Sequence, residues 1–243
     1  MHAELLKLST TRTFAALAGT AVAISLLITI LVALLTEPTE KSVLSDVFTN
    51  DVSGVFILVL AVVGITGEWR HRTITSSLLA APDRLRFLAA KTIAFAAAGL
   101  ALSLLVSLAI AVVGFAILSA RDLPTPEIGA LAGQIARIAL VSALLGGFGV
   151  AVGALVRNQV VAVVGMLLLS FVVEPAVIGL VPEVGRYGPF VALPTAAVGM
   201  PEGDAGLGNV DLLPAGLAVA LMLAWIGAAF GGGLALLRRR DVG

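Results

Sequence analysis

The sequence predicts an all-α polytopic membrane protein with six transmembrane helices, and three observations lead to this fold class. Hydrophobic residues make up 59% of the 243 residues, charged residues make up 12%, and the mean hydropathy is +1.10. Soluble domains carry about 45–50% apolar and about 25% charged residues. Six apolar runs are long enough to cross a bilayer, since about 20 helical residues span its roughly 30 Å hydrocarbon layer. The third observation is that basic residues concentrate in alternate connecting segments.

The chain is expected to form a single transmembrane domain over residues 1–243. It begins with a weakly amphipathic interfacial lead-in helix at residues 1–13, for which a frayed terminus is an equal alternative. Only three residues separate the fourth and fifth spans, so these two are expected to be antiparallel neighbours. The six spans are predicted at residues 14–35, 47–66, 92–118, 134–156, 160–181 and 213–237.

The distribution of basic residues predicts the orientation in the membrane. With both termini inside, eleven Lys and Arg residues fall in inner segments and three in outer segments, with Arg137 just inside the fourth span. The positive-inside rule therefore predicts cytoplasmic N and C termini. The outer loop at 182–212 has an apolar middle, 189–200, that is too short to cross the bilayer. We expect this middle to enter the outer interface and return, shielded by protein.

The segment 67–91, called the inner loop below, holds 7 of the 30 formally charged residues and is predicted to face the cytoplasm. Glu68 and Arg72 are spaced to pair across one helical turn, so the second span is expected to continue beyond the membrane. Thr and Ser residues suited to capping precede the Leu78-Leu79 pair, and Pro82 ends a helix there. The pattern predicts a short lateral docking helix; the alternative is an ordinary basic loop that only sets topology.

Two further motifs lie inside the spans. Gly149-x-x-x-Gly153 is a small-xxx-small pattern, which lets helix backbones approach closely either within one subunit or between two. Glu174-Pro175 places a carboxylate in an apolar run. Intramembrane carboxylates usually face a cavity or a partner, so Glu174 is a candidate for a transport pathway. A water-accessible structural break is the favoured reading of Glu174-Pro175, and Arg137 is a candidate partner for the carboxylate.

Several kinds of chemistry are excluded by what the sequence lacks. It contains no cysteine, and its only histidines are His2 and His71, so no thiolate or histidine metal site is expected. It contains no G-x-x-x-x-G-K-[ST] phosphate loop and no intramembrane aspartyl pair. We therefore predict no catalytic residues, no metal site and no enzymatic activity for this chain.

The order of residue types in the inner loop carries a family resemblance. A Glu follows the second span, then come an Arg-Thr step, a Leu-Leu pair, a Pro, two Arg residues and a Lys that opens the third span. This order resembles the inner loop of ABC-2 type transporter permeases, whose commoner form has Gly where Arg72 stands. The six spans, the Pro-containing return segment and the Arg239-Arg240-Asp241 end agree with the family. The residues in question are Glu68, Arg72, Thr73, Leu78, Leu79, Pro82, Arg84, Arg86 and Lys91.

The resemblance implies the ABC-2 type exporter fold, with the inner loop as a coupling helix seated on a separate ABC ATPase subunit. ATP and Mg would bind that partner, so this chain needs no cofactor of its own. The other implied partners are a second permease subunit, in a homo- or heterodimer, and membrane lipid, with no nucleic acid. The implied location is the plasma (inner) membrane of a bacterium, which the high Ala, Gly and Val content also suggests. The residues implied in coupling are Glu68, Arg72, Thr73, Leu78, Leu79, Pro82, Arg84 and Arg86.

The predicted function is that of a permease subunit in an ATP-driven ABC-2 type exporter of a small or amphipathic substrate, such as a drug, antibiotic or lipid-like molecule. One alternative is a secondary transporter or channel driven by an ion gradient, which would need ionisable groups at mid-membrane. Glu174 is the one candidate for such a group, and it lies near the end of a span. Another alternative is a membrane anchor or assembly factor that transports nothing.

Overall fold

The computed structural model describes residues 12–71, 73, 83–156, 158–200 and 210–239. All regular secondary structure in these residues is helical, and six stretches are long and apolar enough to cross a membrane. This confirms the all-α, six-span part of the prediction. Residues 1–11 of the predicted lead-in helix lie outside the described residues. In chain order the helices are α1 (Arg12–Leu35), α2 (Val43–Phe48), α3 (Ser53–Arg70), α4 (Arg84–Ala120), α5 (Ile128–Leu155), α6 (Gln159–Leu168), a π-helical turn (Leu169–Val173), α7 (Glu174–Leu180), α8 (Pro182–Gly185), α9 (Ala192–Val198) and α10 (Ala215–Arg239).

The fourth span, α5, is the central helix of the bundle. It is the most buried of the six spans and packs against α3, α4 and α10. Small residues make this possible: a Cβ added at Gly149 would lie 2.7 Å from the Ala61 Cβ, and one at Gly153 would collide with Ile65. The Gly149-x-x-x-Gly153 pattern therefore lies at a contact between two helices of the same chain, α5 and α3, where it permits close packing.

The second span is not the continuous helix predicted at 47–66. It consists of α2 and α3, separated by four non-helical residues. The Asn50 side chain donates to the carbonyls of Asp46 (2.9 Å) and Val47 (3.1 Å) at the end of α2. Asp51 Oδ1 accepts the Ser53 N–H (2.8 Å) at the start of α3. These side-chain bonds compete with helix continuation and break the span.

The third span is longer than the predicted 92–118. The helix α4 begins at Arg84, about 12 Å before the predicted start at the helical rise of 1.5 Å per residue. Asp83 is its N-cap, with the side chain accepting the Leu85 N–H at 3.0 Å. The last two turns of the inner loop are therefore part of the spanning helix.

The fifth span changes helical geometry in its middle. Pro175 has no N–H and its ring would clash with the carbonyl four residues earlier in a regular α-helix. A π-turn at Leu169–Val173 precedes it, and the Glu174 N–H donates to the Leu169 carbonyl. The chain then resumes as α7. The π-turn accommodates the proline without ending the span.

The return segment predicted at 189–200 contains the helix α9, which is about 10 Å long and does not cross the bundle. It is buried against α5 and α10. It ends at Gly199, whose φ of 75° is the left-handed conformation that glycine adopts at helix C-termini. We call the end of the bundle that carries α8 and α9 the outer end, and the end that carries Arg70 and Arg84 the inner end.

Candidate functional site

The two described ends of the inner loop are extensions of spanning helices. At the end of α3, the His71 N–H donates to the Gly67 carbonyl (2.9 Å) and the Thr73 N–H to the Glu68 carbonyl (3.0 Å). At the start of α4, the exposed Arg86 Nε lies 3.4 Å from the Asp83 carboxylate. The described ends of the inner loop are therefore directly connected to the second and third spans.

A buried ion pair joins these two spans at their inner ends. Lys91 Nζ of α4 lies 2.7 Å from Glu68 Oε1 of α3, and the two side chains are 1% and 3% exposed. The ammonium also lies 5.5 Å from the centroid of the Phe87 ring. A buried charge pair of this kind is strongly destabilised when one partner is removed, because the other is left uncompensated. The pair therefore fixes the spacing of α3 and α4 where the inner loop begins and ends.

Two further side-chain bonds connect the inner ends of other helices. Arg70 Nη1 of α3 donates to Gln159 Oε1 of α6 at 3.4 Å. The Arg84 guanidinium of α4 donates to the Leu237 carbonyl near the end of α10. Together with the Glu68–Lys91 pair, these contacts form what we call the inner-end network. It links the second, third, fifth and sixth spans on one side of the bundle.

A recess of about 570 Å³ opens beside this network. Its walls combine an aromatic ring, a guanidinium and two side-chain amides. Asn158 is held in place because its Oδ1 accepts the N–H groups of Val160 (3.0 Å) and Val161 (3.2 Å), which makes it the N-cap of α6. The lining residues of the recess are Trp69, Arg70, Asn158, Gln159 and Val160.

The structure places the predicted coupling residues in two groups. Glu68, Thr73, Arg84 and Arg86 lie at the described ends of the inner loop, where Thr73 and Arg86 are exposed and Glu68 is buried. The other four lie outside the described residues, and with them the predicted lateral helix and the Glu68–Arg72 pairing, which stay predictions. These four are Arg72, Leu78, Leu79 and Pro82.

Glu174, the predicted intramembrane carboxylate, holds the return segment at the outer end. Its two oxygens accept three consecutive backbone N–H groups, from Phe190 (2.8 Å), Val191 (2.7 Å) and Ala192 (2.9 Å). The candidate partner Arg137 lies instead beside Gly199, where its Nη1 would be 2.7 Å from an added Cβ. Glu174 thus anchors the start of α9.

The sequence places Asp51 near the start of the predicted second span and does not predict the polar cluster that surrounds Asp51 in the structure. Asp51 Oδ2 accepts hydroxyl hydrogen bonds from Ser103 (2.8 Å) and Ser107 (2.7 Å) in the middle of α4. The Ser25 hydroxyl of α1 accepts the neighbouring Val52 N–H at 3.1 Å. A carboxylate therefore lies among the spans, bonded to hydroxyls one turn apart on α4. The i,i+4 spacing of Ser103 and Ser107 was the sequence feature that could have indicated this cluster.

Burial of Lys91 was also missed, although the periodicity of α4 indicates it. Phe87, Ala94 and Ala98 are buried at spacings of three or four residues around Lys91, so Lys91 continues the face that packs on the bundle. Glu68 continues the buried face of α3 in the same way, one turn after Ile65. If the helical periodicity of the buried residues is extended into the inner loop, it predicts that Glu68 and Lys91 are both buried in the bundle.

No protein-family model matches the chain, and no curated protein matches it.

Proposed function

We propose that this chain is the permease subunit of an ATP-driven exporter of the ABC-2 type, which moves a small or amphipathic substrate. The observation that carries the proposal is the Glu68–Lys91 pair, which ties the two ends of the inner loop to each other inside the bundle. A loop that only sets topology needs basic charge in solvent and no buried ionic contact. A loop that transmits force needs a rigid connection to the spans, and the buried pair supplies one.

The inner-end network extends that connection to the rest of the bundle. Displacement of the inner loop would move α3 and α4 together and would pull on α6 through Arg70 and on α10 through Arg84. Four of the six spans would therefore respond to a partner pressing on the loop. We place the source of energy on a separate ATPase subunit, as in the family that the inner loop resembles.

The proposal includes the assembly that such a mechanism needs. Two permease subunits, identical or related, would pack side by side in the bacterial plasma membrane with an ATPase beneath each inner loop. ATP and Mg would bind those partners. The recess lined by Trp69 and Asn158 adjoins the inner loop and offers the partner a polar surface. The substrate path would open between helices when the spans move.

Co-purification from the native host tests the proposal. The tagged chain is expected to bring down an ATPase, and the double variant Leu78→Asp/Leu79→Asp is expected to lose it, since two charges would disrupt an apolar docking surface. Leu35→Asp is the matched control, because Leu35 is exposed at the opposite end of the bundle. Retention of the ATPase by the double variant, or absence of any ATPase from the parent preparation, would overturn the proposal.

Transport by inverted vesicles separates the proposal from the ion-gradient alternative. Accumulation of an amphipathic dye should require added ATP and should continue when an ionophore collapses the proton and sodium gradients. Accumulation that stops with the ionophore and ignores ATP would instead support a secondary transporter.

A further inference from the structure

A cavity of about 670 Å³ lies between the fourth, fifth and sixth spans, and its lining runs from Leu155, the last residue of α5, to Tyr187 after α8. It is enclosed by α5, the π-turn and α7 of the fifth span, the connection after α8, and α10. Its walls are almost entirely apolar, and its size falls in the range of about 300–1,000 Å³ that is typical of small-molecule sites. The side chains that form it include Phe148, Val173, Val177, Tyr187, Phe190 and Trp225.

The cavity opens sideways between exposed apolar side chains of the spanning helices. Leu169 and Val173 on the fifth span are 43% and 46% exposed, and Trp225 on the sixth is 46% exposed. In a membrane these surfaces face lipid chains. Glu174 lines the cavity, but its carboxylate accepts the three backbone N–H groups described above.

Arg186, Tyr187 and Trp225 form what we call the rim of the cavity, and Tyr187 and Trp225 line the cavity itself. The Arg186 guanidinium stacks on the Tyr187 ring, with 5.1 Å from Cζ to the ring centroid, and Nη2 donates to the Tyr187 hydroxyl at 3.1 Å. Trp225 donates its indole N–H to the Tyr187 carbonyl at 3.1 Å. Arg186 Nε is buried and finds no hydrogen-bond partner in the described structure. The rim thus holds the guanidinium on the Tyr187 ring and leaves its Nε without a hydrogen-bond partner among the described residues.

We infer that this cavity binds an anionic phospholipid, with an acyl chain between the fifth and sixth spans and the phosphate on Arg186. Each part of the lipid meets a surface that suits it: apolar walls for the chain and an Arg for the phosphate. Burial of each methylene contributes about 0.8 kcal/mol, and an Arg near the surface adds about 1 kcal/mol for an anionic head. The site does not depend on the exporter proposal.

Trp225 is positioned to report the occupant. The chain has two tryptophans, and the other, Trp69, lies at the inner end. The full-length Trp69→Phe variant can be reconstituted in phosphatidylcholine vesicles with increasing fractions of a lipid whose acyl chains are brominated, which quenches nearby tryptophan fluorescence. Brominated phosphatidylglycerol should reach half-maximal quenching at about one fifth of the fraction that brominated phosphatidylcholine needs, since about 1 kcal/mol corresponds to about fivefold.

The charge at Arg186 is tested in the same Trp69→Phe protein and with the same two lipids. Arg186→Gln should abolish the preference for phosphatidylglycerol, and Arg186→Lys should retain most of it, which also shows that the rim still folds. Lys41→Gln is the matched control, because Lys41 is an exposed basic residue of another outer segment, and it should keep the fivefold preference.

The cavity itself is tested by filling it. Ala229→Phe should reduce quenching by both lipids, because Ala229 lines the cavity wall. Equal quenching by the two lipids before any substitution would show ordinary boundary lipid and overturn the inference. An unchanged preference in Arg186→Gln would also overturn it. Quenching by neither lipid, as expected if a second copy of the chain covered this face, would do the same.

Discussion

Replacing the Glu68–Lys91 pair tests whether the two charges act as one unit. The perturbations are Glu68→Met, Lys91→Met and the double variant, since methionine has a similar volume and can fill the space of either side chain. Each single change leaves the remaining charge at a site that is 1–3% exposed. Loss of one partner of a buried pair costs about 3–5 kcal/mol, so each single variant should be less stable by about that amount.

The double variant should behave differently from the sum of the singles. If the two sites were independent, their effects would add to about 6–10 kcal/mol. Replacement of a buried pair by apolar residues of similar volume is often neutral or stabilising, so we expect the double variant to be close to the parent chain. The coupling energy between the sites should then be about 6–10 kcal/mol, well above the roughly 0.5 kcal/mol within which independent sites add.

Equilibrium unfolding in mixed detergent micelles measures all four proteins under one condition. The matched control is Asp83→Ala with Arg86→Ala, because that pair is exposed and should be coupled by no more than about 1 kcal/mol. Effects of Glu68→Met and Lys91→Met that add within about 0.5 kcal/mol would refute the reasoning. The two charges would then not stabilise each other, and the inner loop would lose the connection that supports the functional proposal.

Three further predictions concern the outer end, the helix packing and the orientation. Glu174→Ala leaves three backbone N–H groups of the return segment without their acceptor, and unfolding should show a loss of at least about 2 kcal/mol. Gly146→Val forces a side chain against the Phe95 carbonyl at the α4–α5 contact and should cost about 1–3 kcal/mol. Because the chain has no cysteine, Lys41→Cys should react with an impermeant maleimide in intact cells, and His71→Cys only after permeabilisation.

Each of these has a control from the same chain. Glu183→Ala removes an exposed acid near the return segment and should have little effect on stability. Gly165→Val makes the same change as Gly146→Val at a helical glycine where nothing lies within 4 Å of the added Cβ, so equal losses at the two sites would contradict the packing argument. Labelling of His71→Cys in intact cells would reverse the predicted orientation.

The six spans could be predicted because bilayer thickness imposes a minimum length on an apolar helix, and an apolar run of that length can be recognised in the sequence. The interruption at Thr49–Val52 could not be predicted, although Asn50 and Asp51 suit helix ends. Hydropathy alone predicts that these residues are the margin of a single span. What holds them inside the bundle is tertiary: Ser25 accepts the Val52 N–H, and Ser103 and Ser107 donate to Asp51.

The candidate site was predictable in position and not in its chemistry. Composition predicts that 67–91 is polar, and the clustering of its charges predicts that they face water. Glu68 and Lys91 are 23 positions apart, and only the packing of α3 on α4 brings them within 2.7 Å. A local rule paired Glu68 with Arg72, one turn away. Residue spacing along one helix cannot show whether Glu68 pairs with Arg72 or with Lys91, because only tertiary structure brings Lys91 close.

Three carboxylates that lie inside the bundle also bear on the proposed source of energy. Glu68 pairs with Lys91, Glu174 binds three backbone N–H groups, and Asp51 accepts two hydroxyls and one backbone N–H. An ion-coupled transporter must bind and release a cation at such a group in every cycle, which would require these contacts to break each time. Each carboxylate instead holds helices or a return segment in place. Fixed internal contacts suit a bundle that moves in response to an external push on residues 67–91.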